Sequence, residues 1–189
     1  MAGLNVVSIC GSLRKGSYNA ALARTLPSLA PAGMKITPAP AWDGIPVYNF
    51  DIQNSTGIPA EVNVWADAIR AADGVVIVSP EYNWGIPGGL KNVIDWASRL
   101  KDVPFKDKPI ALQSCSGGLL GGARMQYALR MTLTSLDAFL VGKPEVFVNF
   151  SAKKFDEKTL ELTDQPTMDL VKQQLASLAN LIARVSNKS

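Results

Sequence analysis

Histidine is missing from this 189-residue chain. Its absence excludes Ser-His-Asp triads, imidazole acid–base catalysis and histidine metal sites. Cysteine is scarce: Cys10 and Cys115 are the only two. Each closes an apolar run, which reads as a small buried packing residue in a reduced protein rather than half of a disulfide. No apolar run is long enough to span a membrane, and no basic segment followed by a signal-type stretch opens the chain, so a cytoplasmic protein is expected. Long runs of one charge are also lacking. The net charge of +3 offers no basic tract for nucleic acid and only a weak pull on anionic ligands. Internal repeats and low-complexity linkers are absent. What remains is 47% apolar and 19% charged, the balance of a soluble globular chain, and its length suits one domain over residues 1–189.

Strand-like and helix-like runs alternate. Strands are expected at Leu4–Cys10, Met34–Pro38, Gly74–Ser79, Pro109–Cys115 and Glu145–Val148. The third is β-branched and apolar on both faces, as a central parallel strand must be. Helical spacing is found at Ala20–Leu29, Glu61–Ala72, Leu90–Leu100 and Arg124–Phe139, and most clearly in Val171, Leu175, Leu178, Ile182 and Val185. This pattern predicts an α/β three-layer sandwich, a flavodoxin-like fold with a five-stranded parallel sheet of order 2-1-3-4-5. Residues 39–59 carry Trp42, Tyr48 and Phe50 among prolines and glycines. They read as a long surface loop, either functional or an interface.

The first strand runs into Gly11-Ser12-Leu13-Arg14-Lys15-Gly16-Ser17-Tyr18-Asn19. A strand, a Gly/Ser/Arg turn and a helix start make an anion site, because backbone N–H groups, hydroxyls and the positive end of the helix dipole converge there. Arg14 adds a fork that can grip phosphate oxygens in pairs. The Gly11-to-Gly16 spacing matches a triphosphate loop, but Ser17 stands where its lysine belongs, and no G-x-G-x-x-G follows the strand. A phosphate monoester suits the turn better. Taken alone, the turn is equally readable as a polar bend with glycines for geometry.

In the 2-1-3-4-5 order the loops after strands one, three and four meet at one rim. The second loop is Ser79-Pro80-Glu81-Tyr82-Asn83-Trp84-Gly85-Ile86-Pro87-Gly88-Gly89, whose prolines and glycines fix its path and whose aromatics offer flat faces. The third, Ser114-Cys115-Ser116-Gly117-Gly118-Leu119-Leu120-Gly121-Gly122, can bring backbone N–H groups to a polar ring edge. Together the three loops fit a phosphorylated, flat, polar-edged heterocycle such as FMN.

The same segments resemble the NAD(P)H-dependent FMN reductases, a family with quinone, chromate and azo reductases among its relatives. Gly11 to Asn19 is similar to the family's G-S-x-R-x-x-S-x-N. Pro80-Glu81-Tyr82-Asn83, continuing through Pro87-Gly88 to Leu90-Lys91-Asn92-x-x-Asp95-Trp96, is similar to its second signature, and Ser116-Gly117-Gly118 to its third. The resemblance covers most of the chain. It implies that Ser12, Arg14, Ser17 and Asn19 bind the FMN phosphate. It implies that Pro80, Glu81, Tyr82 and Asn83 line the ribityl chain and flavin edge, and that Ser116 and Gly117 contact the ring. It also implies NADPH or NADH as co-substrate, a small-molecule electron acceptor, and a homodimer or homotetramer. Trp84 stands where some relatives carry another aromatic.

A flavin carries out the difficult chemistry itself, so no protein acid–base residue and no metal is nominated. The expected activity is transfer of electrons from NAD(P)H through FMN to quinones, free flavins, azo compounds or oxidised metal ions such as chromate, in two half-reactions. The alternative is a flavodoxin-type carrier without nicotinamide activity, although the Arg-containing turn and slightly basic charge argue against it. A flavin-free receiver-like module needs an acidic metal cluster that the strand ends lack. Glu81 is read as a carboxylate that accepts backbone N–H bonds. Arg124, Tyr127 and Arg130 recur at three on one helix face, either solvated or an interface.

Overall fold

A computed structural model describes residues 3–187. The strands are β1 (Leu4–Cys10), β2 (Met34–Pro38), β3 (Gly74–Val78), β4 (Pro109–Cys115), β5 (Phe139–Leu140) and β6 (Val146–Val148). The helices are α1 (Tyr18–Leu29), α2 (Phe50–Thr56), α3 (Ala60–Ala71), α4 (Gly88–Ala97), α5 (Ala123–Thr134) and α6 (Gln165–Ser186). All the named pairings are parallel, in the order β2-β1-β3-β4-β5, with β6 also on β4. Among the described residues no helix is long and apolar enough to cross a membrane.

Alternation along the strands divides the core into two layers. Val7, Ile9, Val75, Ile77, Ile110 and Leu112 face one layer with Trp65 and Ile69 of α3, Leu90 and Ile94 of α4, and Leu129 of α5. Val6, Val76, Val78, Ala111 and Cys115 face the other with Leu22 and Leu26 of α1 and Val171, Leu175 and Leu178 of α6. A period of two on the strands and of three to four on the helices leaves both sheet faces covered, the arrangement a parallel sheet requires.

The expected fold is present, with two local differences. First, the fifth strand position is split. The helix expected over Arg124–Phe139 ends at Thr134, and Phe139 and Leu140 pair with Pro109 and Ile110 instead. The chain then leaves the sheet through Gly142 and Pro144 and returns as β6 beside Gln113–Cys115. Proline has no N–H for a ladder, so an uninterrupted strand cannot run through it. Buried glutamines bridge the gap. Gln174 of α6 donates from Nε2 to the carbonyls of Leu112 (3.1 Å) and Pro144 (2.8 Å) and accepts from Gln113 Nε2 (3.0 Å). On the opposite face Gln126 donates to Val146 O and to Ser114 Oγ, both at 2.8 Å. Side-chain amides thus stand in for part of the missing ladder.

Second, residues 39–59 are not a free surface loop. They contain α2, capped by Asn49, whose side chain accepts from the Asp51 N–H. Trp42 and Ile45 are buried in the core. The Trp42 indole donates to Cys10 O at 3.2 Å, and its ring lies where a side chain on Gly89 would have to go, 2.6 Å from a Cβ built there. Tyr48 packs edge-on against Trp96. Asn92 accepts from the Tyr48 N–H at 2.8 Å and donates to Pro46 O at 2.9 Å, while the Trp96 indole also donates to Pro46 O. Gly89 of α4, with Asn92 and Trp96 of the second signature, therefore fastens this segment to α4.

Candidate functional site

The carboxyl ends of β1, β3 and β4 sit side by side, and the loops that leave them converge. A cleft of about 200 Å³ is lined by Ser12, Arg14, Ser17, Tyr18, Asn19, Pro80, Glu81, Tyr82, Cys115, Ser116, Gly117 and Ser151. Every site residue expected from the sequence lines this cleft except Asn83.

The first turn holds open donors. Gly11 is anchored through its N–H to Val78 O at 2.9 Å, and a Cβ there would lie 2.3 Å from Ser79 Oγ, so only glycine lets β1 and β3 exit so close together. Beyond it, the N–H groups of Ser12, Leu13, Lys15, Gly16 and Tyr18 have no protein acceptor among the described residues. Ser17 caps α1 by accepting from the Ala20 N–H at 3.3 Å, and the hydroxyl hydrogen remains available to a ligand. The first turn of α1 has no acidic residue, and neither Arg14 nor Lys15 has an ion-pair partner among the described residues. Unpaired N–H groups, a helix N-terminus and a free guanidinium fit a phosphate dianion.

Asn19 is different. Its amide is buried and held on both sides: Nδ2 donates to Cys115 O at 3.0 Å, and Oδ1 accepts from the Cys115 N–H at 2.8 Å. This pair of hydrogen bonds to the backbone joins the start of α1 to the end of β4, two elements whose residues line the cleft.

The second loop turns back on itself. Tyr82 and Gly85 exchange backbone bonds of 3.1 and 2.9 Å, and between them Asn83 and Trp84 both have positive φ, 49° and 67°. This is the type I′ pattern, to which asparagine is suited and tryptophan is not. It puts Asn83 at the hairpin tip, outside the cleft lining. Trp84 is 70% exposed, and the Arg124 guanidinium lies 4.3 Å from its ring centre. The same guanidinium is 3.7 Å from Glu81. The other Glu81 oxygen accepts from the Met125 N–H at 3.0 Å, so this carboxylate holds the start of α5, as its sequence context indicated. Arg124 is thereby drawn onto the second loop.

The third loop is anchored at both ends. Ser114 donates to Gly121 O at 2.6 Å. Gly122 has φ 90°, and a Cβ there would lie 2.7 Å from Ser114 Cβ. Ser116 accepts from the Gly118 N–H at 3.1 Å. Gly117, by contrast, has open space around its Cβ position, and its N–H has no protein acceptor among the described residues. A glycine that packing does not require, with a free donor in a cleft, suits close approach by a ligand edge. Burial pushes the thiols of Cys10 and Cys115 up in pKa, and both are free, so neither is an activated nucleophile.

A family model described as NADPH-dependent FMN reductase matches residues 4–153. The chain belongs to this family. It is an oxidoreductase with FMN as cofactor and NAD(P)H as electron donor. Among curated proteins it is 50% identical to a quinone reductase of Escherichia coli strain K12, over 96% of this chain and 97% of that protein. It is 42% identical to an NAD(P)H-dependent FMN reductase of Pseudomonas aeruginosa, with the same coverage. Among solved structures it is similar to FerB, a flavoenzyme NAD(P)H:(acceptor) oxidoreductase from Paracoccus denitrificans, with a TM-score of 0.84, 29% identity, and 96% and 98% of the two chains covered.

Three residues of the cleft escaped the sequence reading. Tyr18 and Cys115 lie inside the motifs and were the nearest to being found. Ser151 is 35 positions beyond Ser116, in a short 3-10 turn, and reaches the cleft because its N–H donates to Ser116 O at 3.1 Å. No sequence signal marks it.

Proposed function

We propose that this FMN reductase passes electrons from NAD(P)H to quinones in two half-reactions, with free flavins, azo compounds and oxidised metal ions such as chromate as further acceptors. The observation that carries the site assignment is the set of unpaired N–H groups from Ser12 to Tyr18 beside Arg14. In this reading Arg14, Ser12 and Ser17 hold the FMN phosphate with that backbone. Asn19 supports the phosphate turn by its hold on Cys115. Pro80, Glu81 and Tyr82 flank the ribityl chain and ring edge, with Asn83 at the hairpin tip above them. Ser116 and the Gly117 N–H meet the polar edge of the ring. FMN when bound supplies the chemistry, accepting a hydride from NAD(P)H and releasing two electrons to the acceptor. The chain would orient it, with Tyr82, 52% exposed, on the cleft wall. The E. coli relative named a quinone reductase supports quinones as acceptors.

The enzyme is further read as a cytoplasmic homodimer or homotetramer. Leu119 and Leu120 of the third loop, Trp84 of the second, and Tyr127 and Met131 of α5 are large apolar side chains left exposed, which supports burial against another copy.

An anaerobic titration tests the activity. The FMN-loaded protein bleaches on addition of NADH or NADPH, and its colour returns on addition of a quinone. Retention of the oxidised spectrum with both donors rejects the enzyme reading in favour of a carrier. Bleaching without recolouring by quinones removes the quinone assignment alone.

A further inference from the structure

The buried serine and threonine hydroxyls of the described residues are, with one exception, bonded within the protein. Ser8 donates to Thr37 O, Ser79 to Pro80 O, Ser114 to Gly121 O and Thr167 to Asp164, while Ser17 accepts from the Ala20 N–H. Ser151 is the exception. It is 2% exposed, and its hydroxyl has no hydrogen-bond partner among the described residues. A buried polar group left unpaired costs stability unless a ligand completes its bonding. The Ser151 oxygen is not sealed in, unlike the unpaired amide oxygens of Gln113 and Gln126. Ser151 lines the cofactor cleft, so the little surface it keeps opens there.

The backbone fixes this residue in place. β6 ends at Val148, and Phe150 turns the chain with φ 46°. The Phe150 N–H then donates to Gly118 O at 3.4 Å and the Ser151 N–H to Ser116 O at 3.1 Å. Ser151 O accepts from the Lys154 N–H at 2.9 Å. With N–H and carbonyl both engaged, the hydroxyl is the group that remains for a ligand. Further along, Phe155 is buried, and its ring centre lies 5.2 Å from that of Tyr18. Residues 150–155 thus span from the third loop to the start of α1 and add a fourth loop to the cleft. On the α1 side Ser151 shares that cleft with Ser12, Arg14 and Ser17, the side chains assigned above to the phosphate. A phosphate dianion offers only acceptors, and a serine hydroxyl can donate to one of them.

We infer that Ser151 is a cofactor-binding residue on this fourth loop, its hydroxyl donating to the FMN phosphate, an inference that rests on the site reading above. The test compares FMN with riboflavin, which lacks the phosphate, by fluorescence titration of the same apoproteins. Ser151→Ala weakens FMN binding roughly tenfold, the scale of one hydrogen bond to a charged group, and leaves riboflavin binding unchanged. Its apoprotein melts no lower than the wild type, because the hydroxyl that is lost bonds nothing in the protein. The phosphorus-31 signal of bound FMN shifts in the variant. Ser151→Cys, which keeps a side chain of similar shape but donates weakly, falls between the two. Wild-type FMN affinity in Ser151→Ala, beside an Arg14→Ala control that loses its own, overturns this inference alone. Equal loss of FMN and riboflavin also overturns it: the hydroxyl then serves the ribityl chain or ring or, where the apoprotein melts lower as well, the packing of the loop. A wild-type apoprotein that binds FMN no better than riboflavin rejects the phosphate site itself and, with it, the role of Ser151.

Discussion

Two segments of this chain look equally purposeful in sequence, the first turn over residues 11–19 and the aromatic stretch over residues 39–59, yet they do opposite things. The first turn keeps its donors open: most of its N–H groups, the Arg14 guanidinium and the Ser17 hydroxyl hydrogen have no protein acceptor among the described residues. The aromatic stretch closes its own. Trp42 and Tyr48 are packed against α4, and Pro46 O receives two side-chain bonds. Unusual composition marked both, but unmet hydrogen-bonding capacity distinguishes the first turn from the aromatic stretch.

The comparison breaks most visibly at Trp42. Trp42→Ala empties a core position and is expected to cost about 3–5 kcal/mol of stability, read as a lowered urea midpoint. An unchanged midpoint makes residues 39–59 a surface appendage after all. Arg14→Ala is the counterpart in the first turn. Loss of a charge-assisted bond of about 1.5–3 kcal/mol weakens FMN binding by one to two powers of ten, on the order of that energy, while the thermal midpoint of the apoprotein stays put. Calorimetric titration with FMN that finds wild-type affinity removes Arg14 from the site.

Asn19→Ala sharpens the contrast inside the first turn. It leaves the Cys115 N–H and carbonyl without their partner, at a cost of about 1–3 kcal/mol to the apoprotein. FMN affinity falls, but affinity for inorganic phosphate, whose donors lie on the turn itself, is retained. Parallel loss of phosphate and FMN makes Asn19 a direct phosphate ligand. The smallest effect belongs to Asp164, the cap of α6. Its side chain accepts from the Thr167 N–H at 3.0 Å, and bonding from the Thr167 hydroxyl, then from its N–H and with help from Lys154, holds the carboxyl below its ordinary range. A carboxyl with a depressed folded-state pKa contributes its full stability above the unfolded value. That contribution fades as pH falls through the lowered value. Asp164→Ala is therefore expected to lose about 1 kcal/mol at neutral pH, with the gap from wild type narrowing in acid. A gap that persists at the lowest accessible pH denies the carboxylate this role.

The sheet order was legible because apolar runs with turn signals recur in strict βα alternation, and three loops with ligand-type chemistry then had to share a rim. The split fifth strand was not legible. Phe139 and Leu140 continue the helical spacing of α5, and only pairing with Pro109 and Ile110 makes them a strand. The second signature was half legible. Pro80, Glu81 and Tyr82 line the cleft, whereas Asn92 and Trp96 act 40 to 50 positions back, on Pro46 and Tyr48, through contacts that no local pattern reveals.

The sequence by itself determined the fold class and the donor-rich composition of the first turn, because strand period, helix period and the chemistry of a Gly/Ser/Arg turn are local properties of neighbouring residues. Tertiary structure alone decided which donors remain free. Asn19 and Ser17 stand two residues apart in the same motif. One is tied on both sides to a backbone 96 residues away, and the other keeps a hydrogen for a ligand. That difference depends on where β4 ends, since a hydrogen bond is a matter of distance in space and not of position along the chain.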